Sequence, residues 1–137
     1  MNLYITNRDV EIKGFNSINV TKGTVDFSEI PKNSCTQIVI ENALEHVENI
    51  FDFFKSCVQL LRMGAAIKII GIDLRSICLS YVNGSLDTKT FNDTFIANTK
   101  GLLSTNDMLD FLKHNNMHIE KCDLLNESMY EIIAHRR

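Results

Sequence analysis

Glu41, Glu45 and His46 fall together where an apolar run, "CTQIVIE", gives way to "NALEH". Carboxylates beside an imidazole can hold a polar ligand or move a proton. Asp73 and Arg75 follow a second apolar run, "AIKIIGI". Asp73 has the chemistry of a general base or of an acceptor for a substrate hydroxyl, and Arg75 that of an anion holder. Each group also has a plain structural role. Glu45 suits the positive start of a helix, where His46 caps or packs, and Asp73 can cap a helix beginning at Leu74 with Arg75 in solvent. Tyr81, Asn92 and Asp93 lie where an acceptor lid would be, though Tyr81 equally suits packing with a wet hydroxyl. His114 and His118 have i, i+4 spacing, but Asn115-Asn116 between them read as a helix end, so no metal pair is expected. Nothing in the sequence assembles a Ser-His-Asp or reactive-cysteine nucleophile.

The elements that must position these groups follow from periodicity. "NLYIT" (Asn2 to Thr6) and "SINV" (Ser17 to Val20) read as short strands joined by a few polar residues and Gly14. The uninterrupted Ile38-Val39-Ile40 suits a strand covered on both faces. Leu44, Val47, Phe51, Phe54, Val58 and Leu61 recur at steps of three and four, which predicts one helix face, with Gly64 ending that helix. A strand over Ala66 to Ile72 follows, so the segment is a βαβ unit with parallel strands and a right-handed crossover. A weaker helix follows Asp73, Asp87 caps a short one, and Ser104 and Asp107 have capping-box spacing ahead of Met108, Leu109 and Leu112. "HIEKCDLL" and "MYEIIAH", joined through "NES", read as two final strands. The expected architecture is α/β, a mostly parallel sheet with an antiparallel strand near its C-terminal edge.

The bulk numbers narrow the function classes. The chain has 137 residues, 45% hydrophobic and 23% charged, and a net charge of −3. That suits a single domain over residues 1–137 and gives no basic footprint for nucleic acid. No apolar run reaches the roughly 20 residues of a membrane span, and "MNLYITNRDVEIK" lacks the apolar core of a signal peptide. Cys35, Cys57, Cys78 and Cys122 form no C-x-x-C pair and read as reduced thiols, so a cytoplasmic protein is expected. Met63, Met108, Met117 and Met129 are expected in or at the edge of the core. Arg136-Arg137 reads as a solvated tail.

The order of elements resembles the class I S-adenosylmethionine (SAM) methyltransferases, whose second half is a strand, an "LEH" turn, a helix, a glycine-bearing turn and a strand. "IENALEHVENIFDFFKSCVQLLRMGAAIKIIGIDL" carries that likeness here. More narrowly, "GFNSINVT" and "IDLRSICLSYVNGSLDTKTFNDTFI" are similar to segments of a compact bacterial subgroup linked to cell-surface polysaccharide genes. The resemblance implies a truncated Rossmann-like fold and SAM as cofactor. It places Thr6, Asn7, Arg8, Thr21, Glu41, Asn42, Glu45 and His46 around that cofactor, with Arg75 and Tyr81 toward an acceptor and Asp73 as its base. This sequence departs from the pattern at the cofactor end. The first loop, Thr6-Asn7-Arg8, has no glycine, Thr21 stands where an acid would hold the ribose hydroxyls, and the usual glycine pair is Gly64-Ala65.

Two functions follow from the likeness. One is a SAM-dependent methyltransferase acting on a sugar or other small hydroxylated acceptor. The other is a catalytically inactive methyltransferase-like domain serving binding or assembly, with homo-oligomerisation through apolar surface that the shortened fold leaves exposed. An enzyme using another nucleotide in the same cleft is a third reading, without a phosphate-cradling glycine loop to support it.

Overall fold

The computed structural model describes residues 1–137. Its sheet is built on the two apolar runs, β3 (Cys35–Glu41) and β4 (Leu61–Ile72), which pair in parallel with Ile38 beside Ile67 and Ile40 beside Ile69. β1 (Asn2–Thr6) pairs in parallel with β3, and β2 (Asn16–Asn19) in parallel with β1. β5 (Met117–Leu124) and β6 (Met129–Arg136) form the closing hairpin, with β6 antiparallel to β4. The order is β2-β1-β3-β4-β6-β5, so the antiparallel strand lies one in from the C-terminal edge, as expected. The turn of the hairpin is held by Asn126, whose Oδ1 accepts from the Ser128 and Met129 amides at 2.9 Å each.

The helices are α1 (Ile50–Leu60), α2 (Leu74–Val82), α3 (Thr88–Thr90), which runs into a π-helical turn at Phe91–Ile96, and α4 (Thr105–His114). Capping is as the residue types predict. Asp73, Asp87 and Ser104 accept from the amides of Ser76, Thr90 and Asp107.

The single helix expected from Leu44 to Leu61 is corrected. Leu44–His46 forms a 3₁₀ turn, Val47 is extended, and Asn49 starts α1 afresh by accepting from the Asp52 amide. The new start rotates the buried face to Phe53, Phe54, Cys57 and Val58, and turns Phe51 outward against Phe111 at 5.2 Å. Nor does Gly64 end this helix. α1 stops at Leu60, and Gly64, at φ 78°, turns the chain ahead of the paired segment beginning at Ala66. Met63 is exposed rather than in the core, whereas Met108 and Met117 are buried. Arg136 is the last residue of β6 rather than a loose tail, and it donates to Asn33 Oδ1 at 2.6 Å and to the Leu61 carbonyl.

The core lies on one side of the sheet only. Leu3, Ile5, Ile38, Ile40, Ile67, Ile69, Ile132 and Ala134 point to that side and meet Phe54 and Val58 of α1 and Met108 and Leu112 of α4. Val25, Phe27 and Ile30, from the helix-free link between β2 and β3, complete the cover, with Phe27 against Phe53 at 5.7 Å. Buried within this core, Cys35 and Cys57 are free thiols, and burial pushes the Cys57 thiol well above its ordinary range. The opposite face carries Tyr4, Val39, Ala66, Lys68, Ile70, Glu131 and Ile133. The alternation of burial along β4 places these residues away from the helices, and none joins the core cluster. Phe15, in the helix-free link between β1 and β2, rests on this side, edge-on to Tyr4 at 6.3 Å, and Val39 and Glu131 are buried there among their neighbours.

Phe54 is fully buried between the sheet and Phe111. Phe54→Ala is therefore expected to cost about 3–5 kcal/mol of unfolding free energy, read as a lowered urea midpoint.

Candidate functional site

In a parallel sheet, ligands bind beyond the carboxyl ends of the strands, because loops leave there and helix starts point there. Here that end gathers Thr6 to Arg8 after β1, Asn19 to Thr21 after β2, Glu41 to His46 after β3 and Asp73 after β4. The cofactor residues expected from the sequence are thus brought together, but their side chains are engaged with one another. Arg8 reaches Glu41 at 3.7 Å, joining the first loop to the end of β3. Asn7 Nδ2 lies 3.1 Å from His46 Nε2. Burial pulls His46 below its ordinary pKa, and the neutral ring accepts from the amide through that nitrogen. Thr6 is fully buried, and its Oγ1 has no hydrogen-bond partner.

Asn42 takes φ 51°, a left-handed conformation that asparagine tolerates, and its amide donates to the Ile70 carbonyl at 3.0 Å. The Thr21 amide donates to Asn19 Oδ1 at 2.8 Å, so this residue closes a local turn. A carboxylate does stand beside the end of β2, but it comes from the first loop. Asp9 Oδ1 accepts from Asn19 Nδ2 at 2.6 Å. Asp9 was not singled out in the sequence, because only the return of the loop onto Asn19 brings it there. Arg8, Asp9, Glu11, Ser17 and Asn19 line an open cleft of about 390 Å³ on this side.

Glu45 is nearly buried, in a closed apolar corner with Ile50, Ile72, Leu103, Met108 and Tyr130. Burial pushes its carboxyl up to about 7, against the pull of a hydrogen bond from its own backbone. Tyr130 is itself buried, and its hydroxyl is raised by that burial and by the neighbouring charge of Glu45. Its ring fits because position 71 is glycine; a Cβ there would meet the Tyr130 hydroxyl at 3.0 Å. The alternation in "MYEIIAH" could have placed Tyr130 on the buried side with Ile132 and Ala134, but not beside Glu45.

The acceptor residues lie apart from this group. Asp73 Oδ2 accepts from the Ser76 amide at 3.0 Å and its hydroxyl at 2.5 Å, while Oδ1 accepts from the Thr105 amide at 2.8 Å and its hydroxyl at 3.1 Å. Burial alone would raise this carboxyl, yet the bonds from Ser76 and Thr105 outweigh it and hold it below the ordinary aspartate range. An aspartate with four donors on two oxygens is a joint rather than a proton acceptor, so the base expected at Asp73 is corrected to a cap. Arg75 is exposed and lines, with Ser76, Leu79, Asn106 and Asp123, a cleft of about 350 Å³ beside β5. That cleft is on the far side of β4 from β1, separated by strands spaced ~4.8 Å apart. Tyr81 stacks on Phe91 at 4.9 Å and its hydroxyl meets Thr88 Oγ1 at 3.2 Å, the packing role.

No protein-family profile matches the chain, and no curated protein matches it in sequence. Solved structures do. A SAM-dependent methyltransferase from Mesorhizobium loti superposes with a TM-score of 0.65 at 13% identity, over 93% of this chain and 72% of that one. The fold is that of SAM-dependent methyltransferases. A methyltransferase from Thermotoga maritima gives a TM-score of 0.62 at 10% identity, over 90% of this chain and 63% of its own length. Geranyl diphosphate C-methyltransferase from Streptomyces coelicolor A3(2), crystallised with S-adenosyl-L-homocysteine, gives 0.59 at 13% identity, over 90% of this chain and 52% of that one. The chain thus spans roughly half to three-quarters of the length of these methyltransferases. The Arg8–Glu41 and Asn7–His46 contacts tie the loop after β1 to the end of β3 and the turn that follows it.

Glu45 gives a pH prediction. Its folded pKa of about 7 lies above the ordinary 4.5. Its contribution is therefore fully present below pH ~4.5 and is lost as pH rises through ~7, a total of about 3 kcal/mol. Urea midpoints measured from pH 5 to 8 are expected to fall, and Glu45→Gln is expected to flatten that slope. Asp73→Ala, which leaves two helix starts without their acceptor, is expected to cost about 2–3 kcal/mol at pH 7.

Proposed function

We propose that the chain is a catalytically inactive methyltransferase-like domain that serves binding or assembly, its cofactor cleft closed by its own first loop. The observation that carries this reading is the pair of contacts from that loop to the end of β3, Arg8 to Glu41 and Asn7 to His46. Methyl transfer asks the protein chiefly to align an acceptor with the cofactor's methyl group. The residues that resemblance would assign to the acceptor stand instead on α2 and across β4, with Asp73 committed to two helices. The backbone freedom that a glycine loop gives for close approach to SAM is missing at Thr6-Asn7-Arg8.

A second reading, SAM-dependent methylation of a sugar or other small hydroxylated acceptor, is favoured by two details. The Arg8–Glu41 pair is long and mostly solvated, which makes it a weak latch. Asp9, beside Asn19, supplies a carboxylate near the end of β2 in place of the missing ribose acid. The relatives seen with SAM or its product also support this reading by their fold.

Calorimetric titration separates the two. With SAM or S-adenosylhomocysteine up to ~1 mM, no binding heat is expected, the level at which even a ~4 kcal/mol association would register. Saturable binding, weakened by Asp9→Asn and tightened by Arg8→Gly, would favour the enzyme instead.

A further inference from the structure

The face of the sheet opposite the core is the largest feature that the closed cofactor cleft leaves without a role. We propose that this face packs against the same face of a second copy of the chain, making a two-fold dimer. The inference rests on the assembly reading above and names its partner, but it is argued from the face of the sheet and not from the state of the cleft.

The strands of this sheet have apolar residues on both sides. Ile38 and Ile40 enter the core while Val39 points away; Ile67 and Ile69 enter it while Ile70 points away; Ile132 and Ala134 enter it while Ile133 points away. Such double-sided strands belong to sheets covered on both faces. Here helices cover only one face, and Tyr4, Ala66, Ile70 and Ile133 remain half-exposed on the other.

The charges on this face select the occupant. Lys68 pairs with Glu131 at 3.1 Å, and Lys121 with Glu131 at 2.7 Å and with Asp123 at 3.4 Å. Glu131 is held below its ordinary pKa by Lys121 and then Lys68. Two cations thus balance two carboxylates, and no surplus charge is left to draw a strongly acidic or basic partner.

The pattern is complementary to itself. Lys68, Ile133 and Lys121 form one row across β4, β6 and β5, and Ile70, Glu131 and Asp123 the next. A two-fold axis crossing the strands between these rows sets each row over the other. Lys121 of one copy then lies over Asp123 of the second, Lys68 lays its aliphatic stem over Ile70, and Ile133 covers Glu131, whose charge Lys68 and Lys121 of its own chain already balance. Five strands at ~4.8 Å and six residues at ~3.3 Å outline roughly 480 Å² of flat face. With the relief of the side chains this approaches the ~600 Å² per partner at the low end of specific interfaces. The sheets would pack aligned, as in a sandwich.

Sedimentation equilibrium of the full chain at roughly 10–200 µM, the range of modest interfaces, is expected to give twice the 15.6 kDa chain mass. Ile70→Lys is expected to weaken association at least ~100-fold with an unchanged circular dichroism spectrum, since its side chain stands on a half-wet face in the monomer and would meet Lys68 of the second copy. Val82→Lys, on the exposed side of α2, is expected to leave the dimer intact. If Ile70→Lys fails to fold, Lys121→Glu reads the same face by charge, and is expected to weaken association more than ~10-fold by setting a carboxylate against Asp123 of the second copy. A wild-type monomer throughout, a partner of different sequence required for cover, a full-strength dimer in either face variant, or dissociation by Val82→Lys would each overturn the proposal. SAM plays no part in this readout, so its binding or failure to bind is scored separately.

Discussion

The carboxylate of Asp73 accepts hydrogen bonds from the starts of two helices at once, and the arrangement of the C-terminal half depends on it. One oxygen caps α2 through Ser76 and the other receives Thr105 at the start of α4. The backbone reinforces the joint: the Asp73 amide donates to Ser128, and the Leu74 amide to Leu103. Thus the end of β4, the entry to α4 and the turn between β5 and β6 are tied at one point. With α4 so placed, Met108 and Leu112 reach the sheet and the core closes. A negative group between two helix starts also satisfies amides that no turn of helix could.

This joint involves no residue of the first loop. The core contacts of α1, α4, β3 and β4 involve no residue of the first loop. Substitutions at Asn7 and Arg8 are therefore expected to alter the cleft without loosening the packing. The loop compensates for its missing helix with polar contacts of its own, Asn7 to His46, Arg8 to Glu41 and Asp9 to Asn19. None is worth much singly, since exposed ion pairs contribute ~1 kcal/mol or less. Their effect is one of position, because they lay the loop across the strand ends.

The same shortened N-terminal half accounts for the bare face. Where β1 and β2 are joined by residues 7–15 without a helix, Ile70 and Ile133 stay partly exposed. The ion network of Lys68, Glu131 and Lys121 keeps that face wettable while its flanks stay apolar. Such mixed surfaces suit association between separately folded chains better than a permanent core.

Periodicity and end signals alone determined the strands, the βαβ unit, the closing hairpin and the caps at Asp73, Asp87 and Ser104, because these depend on near neighbours in the chain. The resemblance to the methyltransferases, and not periodicity, grouped Thr6 to Arg8, Thr21 and Glu41 to His46 in one neighbourhood, and the strand ends on one side of the parallel sheet do converge there. Local pattern failed where a distant partner decides. The stretch from Leu44 to Leu61 has helical spacing, yet the packing of Phe53 and Phe54 and the Asn49 cap divide it and turn Phe51 outward. Asp73 has the composition of a base, and only the arrival of Thr105, 32 residues later, makes it a joint. Glu45 is an ordinary helix-start carboxylate in sequence, and only the approach of Tyr130 and Leu103 buries it. Tertiary structure likewise decided that Arg8 would face Glu41 and that one face of the sheet would stay open. Charge pairing and burial are properties of space, and residues far apart in the chain supply them.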